Sequence, residues 1–411
     1  MSQAVSESDV VRLVNQLLVD AVNARASDIH VETDENELSL RYRIDGVLQP
    51  QTVPAGIRDA AANVVSRLKL LANLDITERR LPQDGRFMLK GQGRDVDVRM
   101  SCIPTFHGEG IVMRILDSGA ATMSIRSLGF EPEIYEKISN LLRLPHGLIL
   151  ATGPTGSGKS TTLYSLLSAL NKPGRKIITV EDPVEYKLSG ASQIQINEKV
   201  GLTFAAMLRR ILRHDPDVVL VGEIRDAETL SIALQAAVTG HLVFSTLHTN
   251  DAAGAFIRFL SQDVEPFLVS TCISAVIAQR LVRNLCPHCK QIYIPSNDEL
   301  PPDFPKEMLS VDQALMKHLK QGTVVGKIYR SVGCPRCQNT GYKGRSGIYE
   351  LLIPSQAVSD LIVRQAAVHD IKRQAIQDGM RTMRTDGWRK VANGETTIEE
   401  VMRVTAPDTL V

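Results

Sequence analysis

The sequence predicts an α/β protein: a phosphate-loop core built on a parallel sheet, preceded by a smaller α+β unit and carrying a small cysteine-bearing insert. Three observations predict it. An apolar stretch, Leu148-Ile149-Leu150, runs into Gly153-Pro154-Thr155-Gly156-Ser157-Gly158-Lys159-Ser160 and then a helical pattern over 161–170, the strand, loop and helix order of a phosphate-binding loop. Four runs, at 148–150, 176–180, 218–221 and 242–244, are apolar without polar alternation, as strands buried on both faces must be. Two Cys-x-x-Cys pairs lie towards the C-terminal end.

Composition narrows the function. With 411 residues there is core enough for two or three domains. The 47 basic side chains balance 46 acidic ones, and aromatics are 4%, so neither general attraction to nucleic acid nor base stacking is implied. The opening MSQAVSESDVV has no basic-then-apolar order, and no apolar run approaches membrane-spanning length. A cytoplasmic protein is expected. In a reducing compartment the paired cysteines point to metal rather than disulfides. Cys102 and Cys272, in apolar surroundings, are expected core residues.

In chain order, Val10, Val11, Val14, Leu17, Leu18, Ala21 and Val22 have the spacing of an amphipathic helix over 8–24, with Ser8 as its cap. Residues 38–44 alternate with period two and end in Asp45-Gly46, a hairpin signal. Helical spacing returns over 57–74, and strand-like runs at 86–89 and 96–100 flank Gly91-Gln92-Gly93. Arginines recur on these strands, at Arg41, Arg43, Arg86 and Arg99, as they also do on ordinary solvated strand faces. The small residues after Asp117 suit a linker.

The loop chemistry follows from residue type. Gly153, Gly156 and Gly158 let backbone N–H groups approach a polyphosphate, Lys159 reaches its β and γ phosphates, and Ser160 can ligate Mg²⁺. Thr161 continues a helix whose positive end faces the same anion. In an open parallel sheet, ligands sit at the carboxyl ends of strands, which singles out Glu181-Asp182, Gly222-Glu223 and His248. Gly222 stands where many phosphate-loop enzymes place Asp, so Glu223 is the candidate to orient the attacking water, with Glu181 and Asp182 the nearest alternatives. His241 and His248 flank one strand; such a histidine reads as a γ-phosphate sensor, a coupler or a core hydrogen-bonding group rather than a general base.

The phosphate loop, EDPVE, VGEIRDAET and TGHLVFSTLHTND resemble, in order and spacing, the Walker A, Asp, Walker B and His boxes of the secretion ATPase superfamily, the motors of type II secretion and type IV pilus assembly. ASDIHVE, RYRIDG and PQDGR look like that family's PAS-like N-terminal module. The resemblance implies a RecA-like core in a homohexameric ring, with ATP between the two domains and arginines approaching it: Arg86 and Arg99 from the PAS-like module, Arg209 and Arg213 from the core. Gly110 departs from the family, where a basic residue is common. The resemblance further implies a peripheral place at the inner membrane, beside a platform protein. Many members carry a further N-terminal docking domain; this chain starts close to the PAS-like module, as a truncated or a short natural form would.

Cys286, Cys289, Cys334 and Cys337 offer four thiolates, a closed tetrahedral Zn²⁺ site with no position for water and hence structural, with His288 as a substitute ligand. Gly341, Gly344 and Gly347 after them suggest tight turns. Residues 358–380 have helical spacing and Val401 closes a last short helix. The expected organisation is 1–116 PAS-like, 117–125 linker, 126–285 RecA-like core, 286–345 tetracysteine module and 346–411 C-terminal helices. The expected function is ATP hydrolysis driving secretion or pilus assembly. A nucleic-acid translocase is disfavoured by charge and composition, and a non-catalytic adaptor by intact Lys159, Ser160 and Glu223.

Overall fold

The computed structural model describes residues 7–35, 37–53, 61–91, 94–116, 123–309 and 326–408. Most of the expected linker, the start of the 57–74 helix and the centre of the Gly91-Gln92-Gly93 turn lie outside the described residues. The chain divides into two compact units, Met1–Ala120 and Ala121–Val411.

Among its described residues, the first unit is a six-stranded antiparallel sheet with two helices. Its elements are α1 (Glu7–Asn23), β1 (Ala26–Asp34), β2 (Glu37–Ile44), β3 (Val47–Pro50), α2 (Ala61–Leu71), β4 (Gln83–Gly91), β5 (Arg94–Thr105) and β6 (Gly108–Leu116), with strand order β3-β2-β1-β6-β5-β4. Val10, Val14, Leu17 and Leu18 of α1 join Val64, Val65 and Leu68 of α2 in one core with Ile29, Val31, Tyr42, Val98 and Met113 of the sheet. Strand period two then sends the alternate residues, Asp28, Arg41, Arg43, Arg99 and Arg114, to the opposite face. Asp45 and Gly46 turn β2 into β3 with φ of 49° and 85°, the left-handed pair a two-residue hairpin needs.

The second unit holds a seven-stranded sheet of order β15-β12-β7-β11-β10-β8-β9. These strands are β7 (Gly147–Thr152), β8 (Ile177–Glu181), β9 (Ser192–Gln195), β10 (Val218–Val221), β11 (Leu242–Leu247), β12 (Ile273–Leu285) and β15 (Tyr342–Leu352). Neighbours are parallel except β15, which pairs antiparallel with β12 at the edge. The helices are α3 (Pro132–Leu141), α4 (Lys159–Leu170), α5 (Phe204–Ile211), α6 (Ala227–Val238), α7 (Ala253–Leu260), α8 (Pro266–Cys272), α9 (Gln356–Val363), α10 (Val368–Gln377), α11 (Met383–Ala392) and α12 (Ile398–Val404). Leu148, Leu150, Val219 and Val221 enter one buried cluster with residues of α6, α7 and α9, while Ile149, Ala151, Val218 and Leu220 enter another with residues of α3 and α4. Helices on both faces explain why these strands lack polar alternation.

Two departures from the sequence pattern stand out. Residues 358–380 form two helices, α9 and α10, separated at Gln365 with φ 53°. Gly344 and Gly347 lie inside β15 rather than in turns; a Cβ on Gly347 would fall 2.1 Å from the Tyr349 hydroxyl oxygen, so the aromatic side chain lies across a position with no room for a side chain. Beside the sheet, β13 (Gln291–Tyr293) and β14 (Ile328–Arg330) pair as a small ribbon. Leu300, Phe304, Leu309 and Ile328 pack with Trp388, Val391, Ile398 and Val401, giving the cysteine segment and the last two helices a shared core.

Candidate active site

The phosphate loop leaves β7 and enters α4 through three glycines with positive φ: Gly153 at 148°, Gly156 at 78° and Gly158 at 90°. A Cβ at Gly153 would lie 2.6 Å from both the Ser157 Oγ and the Gln279 carbonyl oxygen, so the close approach itself demands glycine. Pro154, Thr155 and Gly156 are exposed, whereas Ser160 and Thr161 sit half-buried in the first turn of α4. Lys159 Nζ donates to the carbonyls of Gly153 and Pro154 at 2.7 and 3.1 Å. Burial pulls its pKa down to about 8, against the upward pull of Glu223, and Arg280 lowers it further. The buried Ser157 Oγ and Gln279 Oε1 lack partners among the described residues, as polar groups around a polar ligand do.

Glu223 follows β10, two strands from β7 in the sheet. Its carboxylate pairs closely with Arg225 and lies 3.9 Å from His248 Nε2 at the end of β11. Burial first, then the nearby Lys159 charge, lowers the His248 pKa, favouring a neutral ring at pH 7. At Gly222, the usual aspartate position, a Cβ would lie 3.3 Å from both the Glu181 Cα and the Val180 carbonyl oxygen, so the two strand ends run close together there. Three strand ends therefore converge: Lys159 after β7, Glu223 after β10 and His248 after β11.

The remaining candidates are placed elsewhere. Glu181 is 4% exposed, and its carboxylate accepts hydrogen bonds from Tyr164 and Thr179 at 2.6 Å each and from Gln193 at 3.3 Å. Asp182 is exposed. His241 precedes β11, at the opposite end from His248, with Nδ1 3.0 Å from the Ala236 carbonyl oxygen. Arg209 pairs with Glu228 of α6, and Arg213 is exposed in the turn after α5. In the first unit Arg86 and Arg99 are direct cross-strand partners, and Arg114 stands opposite Arg99 on the other side. Arg114 went unread in the sequence; only the register of three strands discloses the row Arg86, Arg99, Arg114. Its Nε donates to Asp28 at 3.1 Å, and Arg43 approaches the same carboxylate at 3.6 Å. Gln279 and Arg280 were also unread, although they are a polar pair within the largely apolar start of β12.

The four cysteines form a separate centre, with all sulfurs within 4.8 Å of one another. The Cys286–Cys334, Cys289–Cys337 and Cys334–Cys337 separations are 3.9, 3.8 and 3.7 Å, matching the roughly 3.8 Å edge of a tetrahedron whose corners stand about 2.3 Å from a metal. Burial opposes ionisation of Cys337, but the amides of Cys334 and Gly341, donating at 3.2 and 3.3 Å, bring its pKa down to about 6. His288 instead meets the Arg336 guanidinium, 3.0 Å from Nδ1.

Fold and site together define a phosphate-loop nucleotide-binding protein with the Glu223 carboxylate near the loop lysine. The chain belongs to the Type II/IV secretion system protein family, whose model it matches over residues 3–403. It is 46% identical to the type II secretion system protein HxcR of Pseudomonas aeruginosa, over 96% of this chain and 77% of that protein. It is 47% identical to the type II secretion system ATPase E of Vibrio cholerae, over 97% and 76% respectively. Against the type IV pilus assembly ATPase PilB of Myxococcus xanthus, identity is 45% over 99% of this chain and 70% of that one. Among solved structures, the pilus retraction motor PilT with bound ADP aligns at a TM-score of 0.60 and 26% identity, covering 96% of this chain and 97% of PilT. The Legionella pneumophila ATPase DotB shares the fold, at a TM-score of 0.67 and 21% identity over 96% and 95% of the two chains. No helix of the described residues is long and apolar enough to cross a membrane.

Proposed function

We propose that this chain is the ATP-hydrolysing motor subunit of a type II secretion or type IV pilus assembly machine. The observation that carries the reading is the convergence of Lys159, Glu223 and His248 at three neighbouring strand ends. The names of the related ATPases support the choice of machine.

In this reading the loop amides and Lys159 hold the β and γ phosphates of ATP, and Glu223 orients the attacking water. Ser160 would hold Mg²⁺, which neutralises phosphate charge when bound. His248, kept neutral, senses the γ-phosphate beside Glu223. Arg86 and Arg99 of the first unit, with Arg209 and Arg213, supply the cations that the transition state needs once the units close around ATP within a homohexamer. The four cysteines hold a structural Zn²⁺, and the ring works at the inner membrane against a platform protein.

The test compares turnover with binding. Lys159→Ala should abolish hydrolysis and weaken nucleotide binding, whereas Glu223→Gln should bind ATP normally and lose turnover by about 10²-fold or more. Near-normal hydrolysis by Glu223→Gln would overturn the assignment.

A further inference from the structure

The turn after β11 is held, residue by residue, by four different elements. The Thr249 amide donates to Thr152 Oγ1, at the end of β7, at 2.8 Å. The Asn250 carbonyl accepts from Arg280 Nη2 of β12 at 3.0 Å, with the Asn250 Oδ1 3.5 Å from the same nitrogen. Asp251 faces Lys372 of α10 at 3.6 Å. The Ala252 amide donates to the buried Glu350 Oε1 of β15 at 2.9 Å. His248, which stands beside Glu223, immediately precedes this turn.

Arg280 is the one charged group of these four holds that also borders the phosphate loop. A Cβ on Gly153 would lie 3.1 Å from its Nη1. That nitrogen donates to the Gln279 carbonyl at 3.0 Å, while the Gln279 side chain donates to the Ser157 carbonyl at 2.8 Å. Arg280 as a whole is half-buried, and a planar fork of donors fixes angle as well as distance, which a lysine ammonium does not.

We infer that Arg280 is a positioning residue of the ATP site: it ties the turn after β11 to the phosphate loop and so sets His248 and Glu223 against the bound phosphates. The inference rests on the motor reading. A change in the Gly153–Ser157 backbone on nucleotide binding would reach Asn250 through Gln279 and Arg280. A purely structural arginine would lower stability and binding together; a positioning one separates kcat from binding.

The experiment uses the full chain as wild type, Arg280→Met and Arg280→Lys. It measures melting temperature, binding of a fluorescent ADP, ATP turnover, and amide hydrogen exchange with and without Mg·ADP. Arg280→Met should bind nucleotide within about threefold of wild type and lose kcat by about tenfold or more, with Arg280→Lys recovering little of it. Nucleotide should slow exchange over 248–254 in wild type but not in Arg280→Met, while loop amides are protected in both. If Arg280→Met melts early, Arg280→Lys, which keeps the charge, carries the same comparison. Equal protection of 248–254 in wild type and variant, or a kcat within about twofold, overturns the inference. A wild type that protects the turn yet never hydrolyses ATP would overturn the motor reading and leave the coupling standing.

Discussion

Glu181 and Glu223 end neighbouring strands, β8 and β10, but their surroundings differ in kind. Glu181 already receives three hydrogen bonds from Tyr164, Thr179 and Gln193 in a buried setting, so most of its acceptor capacity is spent on structure. Among the described residues, Glu223 pairs with Arg225 and His248, on the side of Lys159. Glu181→Gln places an amide against donor hydroxyls and should cost about 1–3 kcal/mol of stability, with turnover near wild type. Thermal melts beside ATPase rates check this: lost turnover at an unchanged melting temperature would move the water-orienting role to Glu181. The sequence alone left these carboxylates as alternatives, because both follow apolar strands. What separates them is the company of side chains far away in sequence, Tyr164 and Gln193 for one, His248 for the other.

At the scale of elements, the cysteine segment and the final helices stabilise one another. Asp303 receives Trp388 Nε1 at 3.1 Å and pairs with Arg384, so the segment between the cysteine pairs is pinned to α11. Removal of metal by chelation, or Cys286→Ser at a fully buried ligand, should therefore lower the melting temperature or solubility before nucleotide affinity changes. Elemental analysis should find about one Zn²⁺ per chain; none in protein purified without chelator would contradict the assignment. The α11 segment itself was invisible to hydrophobic spacing because its buried positions include Arg384, Asp386 and Lys390. These are satisfied by long-range partners, such as the Tyr349 amide on Asp386 and the Gly129 carbonyl on Lys390. Gly387 would be read as a helix breaker, but a Cβ there would come within 2.7 Å of Val401, so it marks close approach of α12. By contrast β7, β8, β10 and β11 were legible, since burial on both faces leaves an uninterrupted apolar signature. The edge pair β12 and β15 was not, its polar residues and glycines masking the strand pattern.

At the scale of the whole molecule, the loop, Lys159 and Glu223 come from one unit, while the row of Arg86, Arg99 and Arg114 comes from the other. Charge building on the γ-phosphoryl group in the transition state calls for cations beyond Lys159 and the arginines already engaged beside it, Arg225 on Glu223 and Arg280 on the turn after β11. Arg86→Ala or Arg99→Ala should accordingly cut kcat by about 10²-fold with little change in nucleotide affinity. Steady-state kinetics beside binding isotherms check it, and parallel losses in both would reduce these side chains to strand-face charges. If the site is completed only within a ring, activity must depend on assembly. The most direct measurement is the ATP hydrolysis rate per chain of the intact protein as its concentration is raised through the range where it assembles. The rate should climb as rings form and be absent at every concentration in Lys159→Ala; a per-chain rate that stays constant down to the monomer, or no hydrolysis at any concentration, would contradict a site completed by assembly.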